Sequence, residues 1–272
     1  MATKKNSNVP AKAEEKTTAV TAFEGYAEFE GDGFENQSQD DIAIPFMNLL
    51  QAMSPEVQPD GVEGAKAGMF INSVTQELHE DFVFVPAITQ HVFVEWVPRD
   101  QGGGIVGTHS KDSEIVKVAK AGAKEFGKYK TEDGNDLVET FYLFGIVVQD
   151  EVPVSMAVMA FTSTKIKAYR AMTTRCRTFQ VQVGDRRMTP PLFAHQLRIK
   201  SMQQKNTKGT FYVPTITPAV DGDIKASLLT TDDPRFLMGK QCRDMVMEGR
   251  AKADESSQGG AEQTDGDEKL PF

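Results

Sequence analysis

Between residues 161 and 210 the chain gathers eleven basic side chains, Lys165, Lys167, Arg170, Arg175, Arg177, Arg186, Arg187, Arg198, Lys200, Lys205 and Lys208, against Asp185 alone. The window therefore carries a net +10 inside a chain of net −9, which leaves −19 for everything else. A line of phosphates is a ligand that such a run suits, because each contact releases condensed counterions. Tyr169, Phe179, Phe193, Phe211 and Tyr212 are interleaved with the cations. Unpaired bases stack on aromatic faces with little regard to sequence. The combination predicts a positive groove for a nucleic-acid single strand, with Phe211 and Tyr212 as stacking candidates. Neighbouring strand residues point to opposite faces, so one of that pair should face outward. Ser201 to Gly209, too polar for a core, reads as a loop over phosphates. The alternative is a solvated charged face with its aromatics in the core.

Other chemistries find less support. His79, His91, His109 and His195 are isolated and share no metal-ligand spacing with Cys176 or Cys242, so no metal, cofactor or catalytic residue is assigned. Gly102 to Gly104 lacks the Lys and hydroxyl of a phosphate loop and reads as a flexible connection. A metal-dependent nuclease would need converging carboxylates; Glu132, Asp133, Asp136, Glu139 and Glu151 are the candidates, although acids at hairpin ends are usually solvated. Two distant cysteines fit structural thiols in a reducing compartment.

The other charged feature is the acidic end. From Asp254 onward six acids face one Lys, and no apolar residue larger than Ala precedes Leu270. Such a segment cannot bury enough surface to offset its own ordering, and its closing Pro271-Phe272 offers a partner an aromatic plug. It could also compete with nucleic acid for the basic groove.

These residues need a frame. Residues 1–40 read as a flexible arm, 41–250 as the body and 251–272 as a disordered acidic tail. Within the body, Phe82–Val85 and the alternating Ile88–Val97 predict strands, and 137–148 with 152–161 predicts a central hairpin. Helices are predicted over 112–126, with Ile115, Ala119, Ala123 and Phe126 on one stripe, and from a Thr162 or Ser163 cap to Arg175. A third starts at Asp233-Pro234 and stops at Gly249. Short strands are expected at 178–183, 192–199 and 210–214. Many strands, few helices and no strand–helix alternation predict a mainly β protein, an OB-like antiparallel barrel enlarged by helical and loop insertions. No apolar run approaches the ~18 residues of a membrane helix, and no secretory leader is evident.

The ending Asp265-Gly266-Asp267-Glu268-Lys269-Leu270-Pro271-Phe272 resembles the acidic C-terminal tip of bacterial and bacteriophage single-stranded DNA-binding proteins. In that family the terminal Phe and its acids bind replication and repair enzymes, which implies partner-binding roles for Asp265, Asp267, Glu268, Pro271 and Phe272. Lys269 interrupts the acids here, and the body is larger than the family's single small barrel. The body is also similar to phage proteins, from Ile44-Pro45-Phe46 and Leu49-Leu50-Gln51-Ala52-Met53-Ser54-Pro55 through Glu95-Trp96-Val97-Pro98-Arg99 to Asn206-Thr207-Lys208-Gly209-Thr210. The resemblance implies a non-enzymatic, non-specific single-stranded DNA-binding protein of phage replication or recombination in the host cytoplasm. Its partners would be single-stranded DNA and replication or recombination enzymes, with no membrane; oligomerisation and the choice of DNA over RNA stay open. A strand-annealing recombination protein, a metal-dependent nuclease and a structural phage protein are the alternatives.

Overall fold

The computed structural model describes residues 43–207 and 209–255, together with Gly33. In chain order its elements are β1 (Ala43–Ile44), β2 (Met47–Leu49), β3 (Phe70–Asn72), β4 (Leu78–His79), β5 (Asp81–Trp96), β6 (Ile105–Ser110), α1 (Glu114–Gly122), β7 (Tyr129–Lys130), β8 (Asp136–Gln149) and β9 (Val152–Phe161). There follow α2 (Ile166–Thr178), β10 (Val181–Val183), β11 (Arg186–Met188), β12 (Leu197–Asn206), β13 (Gly209–Pro218), α3 (Pro234–Met247) and β14 (Lys252–Ala253).

The frame is the antiparallel pair of β5 and β8, rich in the aromatic and β-branched residues that suit a pleated surface. β12 and β6 share the free edge of β5, one at each end; β9 and β7 divide the free edge of β8 in the same way. β13 extends the sheet beyond β12. The protein is mainly β, with antiparallel sheets and a few helices. Among the described residues the seven-stranded sheet stays open and closes into no barrel, so the OB-like closure expected from the sequence is not found.

A bulge between Pro86 and Ile88 decides what each face carries. One extra residue reverses the in–out alternation of a strand. Before the bulge Phe82 and Phe84 point to one face; after it His91, Phe93 and Glu95 do, opposite Phe141, Glu139 and Leu137 of β8. That face is covered at one end by α1 on Phe93 and Leu137, and at the other by α2 on Phe141, Leu143 and Phe161. The small sheet β2–β3–β4 completes the second cover with Met47, Leu49 and Phe70. The reverse face packs Val85, Tyr142, Phe144 and Ile146 against Cys242, Met245 and Val246 of α3.

Glycine permits two close approaches. A Cβ on Gly145 would lie 2.3 Å from the Val85 carbonyl oxygen and 2.6 Å from the Phe84 ring. On α3, one at Gly239 would sit 3.0 Å from Phe193 Cβ, so this helix turn lies directly on its neighbour. α3 begins as its sequence predicts, with Asp233 accepting from Arg235 N at 2.8 Å and Pro234 in the first turn.

Several boundaries differ from expectation. Phe82–Val85 and Ile88–Val97 fuse into one sixteen-residue strand across the bulge. α1 ends at Gly122, so Phe126 leaves the helical stripe, which instead buries Val116 and Ala119. α2 follows a short 3₁₀ turn, Ser163–Lys165, and Thr162 makes no capping hydrogen bond. Ser201 to Asn206 is not a loop but the end of β12, in ladder register with β13 as far as Asn206 opposite Gly209. Residues 251–255 belong to the body: Ala251 is buried, β14 pairs in parallel with β1, and Glu255 accepts from the Thr108 hydroxyl.

Candidate nucleic-acid interface

The spacing of Ile166, Tyr169, Met172 and Cys176 places four side chains on one stripe of α2, and all four are buried against the sheet. The opposite face is left with Lys167, Arg170, Arg175 and Arg177, all exposed, and the helix contains no acid. Arg175 and Arg177 occupy its last turn, where the negative end of the helix dipole favours cations. The inward residues are locked. Tyr169 stacks on Phe141 with centroids 4.8 Å apart, and burial raises its phenol pKa. Burial likewise pushes the Cys176 thiol up to about 11, so it stays protonated.

Directly after α2 the β10–β11 hairpin projects Arg186 and Arg187, with exposed Val183 and Met188 beside them. A Thr189 hydroxyl bond to the Arg177 carbonyl, at 3.5 Å, ties this arm back to the helix. Among the described residues no acid lies within ion-pair distance of Lys167, Arg170, Arg175, Arg177, Arg186, Arg187 or Lys205.

The remaining members of the basic window separate from this set. Lys165 is buried and has an interaction partner, which takes it out of reach of a backbone phosphate. Ladder partners share a face of the sheet, so Arg198 and Lys200 lie with Thr217 and Thr215, whereas the core-facing side carries Leu197, Ile199 and Ile216 beneath α2. On that far side Arg198 donates to Asp81 at 2.6 Å, and Lys200 stands 3.6 Å from the same carboxylate. Lys205 shares the α2 side with Tyr212, and Phe211 is partly buried on the Arg198 side. Tyr212 is a packing residue: its ring fills the space a Cβ on Gly68 would need, 2.6 Å away. Its backbone is clamped by Gln51, whose side-chain oxygen accepts from Tyr212 N (2.8 Å) while Nε2 donates to Tyr212 O (3.0 Å). Lys208 and the tail residues Asp265, Asp267, Glu268, Pro271 and Phe272 lie outside the described residues.

Sequence reasoning missed a strip on the same face, between α1 and α2. His91 stacks on Phe141 at 4.2 Å, and its Nε2 donates to Glu139 Oε1 at 2.9 Å. The Arg170 guanidinium stands 5.9 Å from the Phe141 ring centre, close enough for a cation–π attraction. Beyond His91, the Lys120 ammonium lies 4.3 Å over Phe93. Only the bulge aligns His91 and Phe93 with Phe82 and Phe84, which is why alternation alone did not expose this row. The one sequence signal was the six lysines between residues 111 and 130.

The acids weighed for a nuclease are dispersed. Asp136 pairs with Lys130 (2.7 Å), Glu139 with His91, and Glu151 with Arg235; Glu132 and Asp133 are exposed. Glu95 is buried, accepting from His109 (2.7 Å) and Asn135 (2.8 Å). Burial raises its pKa, but the hydrogen bonds from Asn135, His109 and Thr131 and the charge of His109 together outweigh burial and hold the carboxyl below its usual value. Among the described residues no three His, Cys, Asp or Glu side chains are grouped as metal ligands, and no helix is long and apolar enough to cross a membrane. Gly102, Gly103 and Gly104 all take positive φ (110, 69 and 109°), a run that favours glycine.

Fold and surface together define an open antiparallel β protein with helices on both faces, one of them a cationic helix followed directly by a cationic hairpin. The chain belongs to the Pam3 phage gp34-like protein family, whose model matches residues 13–252. It is thus a phage protein. No curated protein matches it, and no solved structure does.

Proposed function

We propose that this phage protein binds single-stranded DNA without sequence preference, through the outer face of α2 and the β10–β11 hairpin, during replication or recombination in the host cytoplasm. Its role is to coat the strand rather than to catalyse a reaction on it. The observation that carries this reading is the set of six cations, Lys167, Arg170, Arg175, Arg177, Arg186 and Arg187, exposed on consecutive elements with no acidic partner among the described residues. In a chain of net −9 that concentration of positive charge attracts a polyanion, which the acidic remainder of the surface repels. The acidic end supports recruitment of replication or recombination enzymes through Asp265, Asp267, Glu268, Pro271 and Phe272, as its resemblance to single-stranded DNA-binding proteins implies.

The test is fluorescence anisotropy with unstructured single-stranded, duplex and RNA probes between about 50 and 200 mM salt. Single-stranded DNA should bind most tightly, with a log–log salt slope that becomes shallower by about 0.7 for each phosphate contact removed. Charge reversal at Lys167, Arg170, Arg175 and Arg177 should weaken binding to every sequence alike. No binding to any probe, or unchanged binding in the reversed variant, would overturn the proposal.

A further inference from the structure

The end of α1 presents an aromatic side chain to solvent for which the fold has no use. Phe126 is 85% exposed, and Gly127, at φ 85°, makes the turn that holds it there. Its ring meets Tyr129 edge-on, with centroids 6.3 Å apart, so one of its faces is free. Beside it lies an open depression of about 430 Å³, lined by Lys120, Ala123, Lys124, Glu125, Phe126, Tyr129 and Glu139. That volume falls within the range of small-ligand sites, roughly 300–1,000 Å³. The two acids on its wall are engaged: Glu125 pairs with Lys128 at 3.4 Å and Glu139 with His91 at 2.9 Å. Lys120 and Lys124 are exposed and have no acidic partner among the described residues.

An isolated exposed Phe is unremarkable; this one is joined to the α2 surface by continuous contacts. Arg170 stands over Phe141, Phe141 stacks on His91, His91 bonds Glu139, and Glu139 lines the depression. Cations thus stand at both ends of an aromatic and polar floor: Arg170 on the α2 side, Lys120 and Lys124 on the α1 side. A partner with alternating anionic and flat aromatic groups matches that order, and a nucleic-acid single strand has both in every nucleotide. An apolar protein surface would have to desolvate the flanking lysines without compensation.

We infer that the depression at the end of α1 is a nucleotide subsite, in which an unpaired base stacks on Phe126 while Lys120 and Lys124 hold the adjoining phosphates. The strand then runs from the outer face of α2, across Phe141 and His91, to α1. This inference rests on the nucleic-acid reading proposed above, and it fixes a direction and a second anchor that the basic window does not supply.

The test uses the full-length protein with an unstructured DNA oligonucleotide. Phe126→Ala should weaken binding about tenfold, in the range for losing one stacked base, and leave the salt slope unchanged because no charge is removed. Lys120→Gln with Lys124→Gln should instead make the slope shallower by about 1.4. Phe126→Trp places an indole on the platform, and its emission should be quenched on binding, whereas Trp96 is buried in the core on the α3 side of the sheet. Thermal melting checks that each variant is folded, which the exposure of these side chains favours. If the wild-type protein binds but Phe126→Ala has unchanged affinity, or Phe126→Trp keeps its emission, the subsite is refuted and the α2 reading stands. If the wild-type protein does not bind, both fall.

Discussion

His195 ties stability to pH through a proton the folded state resists. Its side chain is 1% exposed, neither ring nitrogen has a hydrogen-bond partner among the described residues, and the nearest ring contact is Phe179, edge-on at 6.4 Å. Burial penalises the imidazolium and lowers the pKa from 6.5 to about 4. Because the folded value lies below the unfolded one, the unfolded chain takes up the proton first. Nothing is lost above the unfolded pKa; destabilisation grows as pH falls through it and is complete below the folded pKa. With these two values the loss is about 2 kcal/mol by pH ~5 and about 3 kcal/mol once both states are protonated. Urea unfolding of the wild-type protein and of His195→Gln, at intervals from pH ~7.5 to ~5, isolates this contribution, since the other titrating groups are common to both. The variant is expected to start less stable and to lose about 2 kcal/mol less across the range. Parallel stability curves, or an imidazole that titrates near its ordinary value by NMR, would refute the assignment of an unpartnered buried histidine.

Gly145→Ala should cost about 3 kcal/mol or more in denaturant unfolding, because its Cβ meets the Val85 carbonyl and the Phe84 ring, neither of which can yield without moving the central strands. Asp233→Ala removes the α3 cap and the partner of Arg235 Nη2 at 2.7 Å, for a loss of about 1–2 kcal/mol near neutral pH. The hydrogen bond from Arg235 holds the Asp233 carboxyl below its usual value, so the stabilisation is present above the ordinary carboxylate pKa and fades as pH falls through the lowered one. Glu95→Ala leaves Asn135 and His109 without their acceptor and should cost about 1–3 kcal/mol, with exchange protection lost first where β5, β6 and β8 meet. Deleting residues 256–272 removes four acids and one Lys and spares Glu255, which bonds Thr108; if the acidic end competes for the cationic face, affinity for single-stranded DNA should rise at low salt and converge with wild type near 1 M, where the screening length is ~3 Å. Identical titrations at low salt would remove that competition.

The parts of the fold legible in the sequence were those where one periodicity acts alone. Residues 137–148 and 152–161 read as a hairpin because alternation, aromatic content and a short polar turn agree, and the structure forms β8 and β9 there. Asp233-Pro234 announced α3 by the chemistry of its first turn. β5 was only half legible, since the bulge after Pro86 reverses its alternation and divides one strand into two apparent ones. The distal half of β12, from Ser201 on, reads as a loop in the sequence for a related reason, although 210–214 of β13 reads as a strand: beyond Lys200 this ribbon leaves β5, most of the outer β12 side chains are exposed, and no buried face imposes an apolar repeat. In the candidate site, helical spacing correctly set Ile166, Tyr169 and Met172 apart from Lys167 and Arg170. It did not reveal that Lys165 is buried, which depends on how the turn before α2 packs on β13, or that Arg198 and Lys200 answer Asp81 from the far side of the sheet, a pairing more than a hundred residues apart.

The bulge also explains how two separate helices come to serve one surface. Without the extra residue, the alternation that aims Phe82 and Phe84 at the α2 side would send His91 and Phe93 to the α3 side. α1 would then have no Phe93 to cover, and Phe141 would have no His91 against it. With the bulge, both helices rest on one face of β5–β8, and the strip between them joins Arg170 to Lys120 through rings and a His–Glu pair. Concentrating cations on α2, β10–β11 and the end of α1 costs self-repulsion that a mixed surface would avoid. Lys120 and Arg170 also stand over the Phe93 and Phe141 rings, but the buried stripes of α1 and α2 are formed by the opposite faces of those helices. Under the nucleic-acid reading proposed above, a phosphate backbone supplies the negative charge that Lys167, Arg170, Arg175, Arg177, Arg186 and Arg187 lack among the described residues.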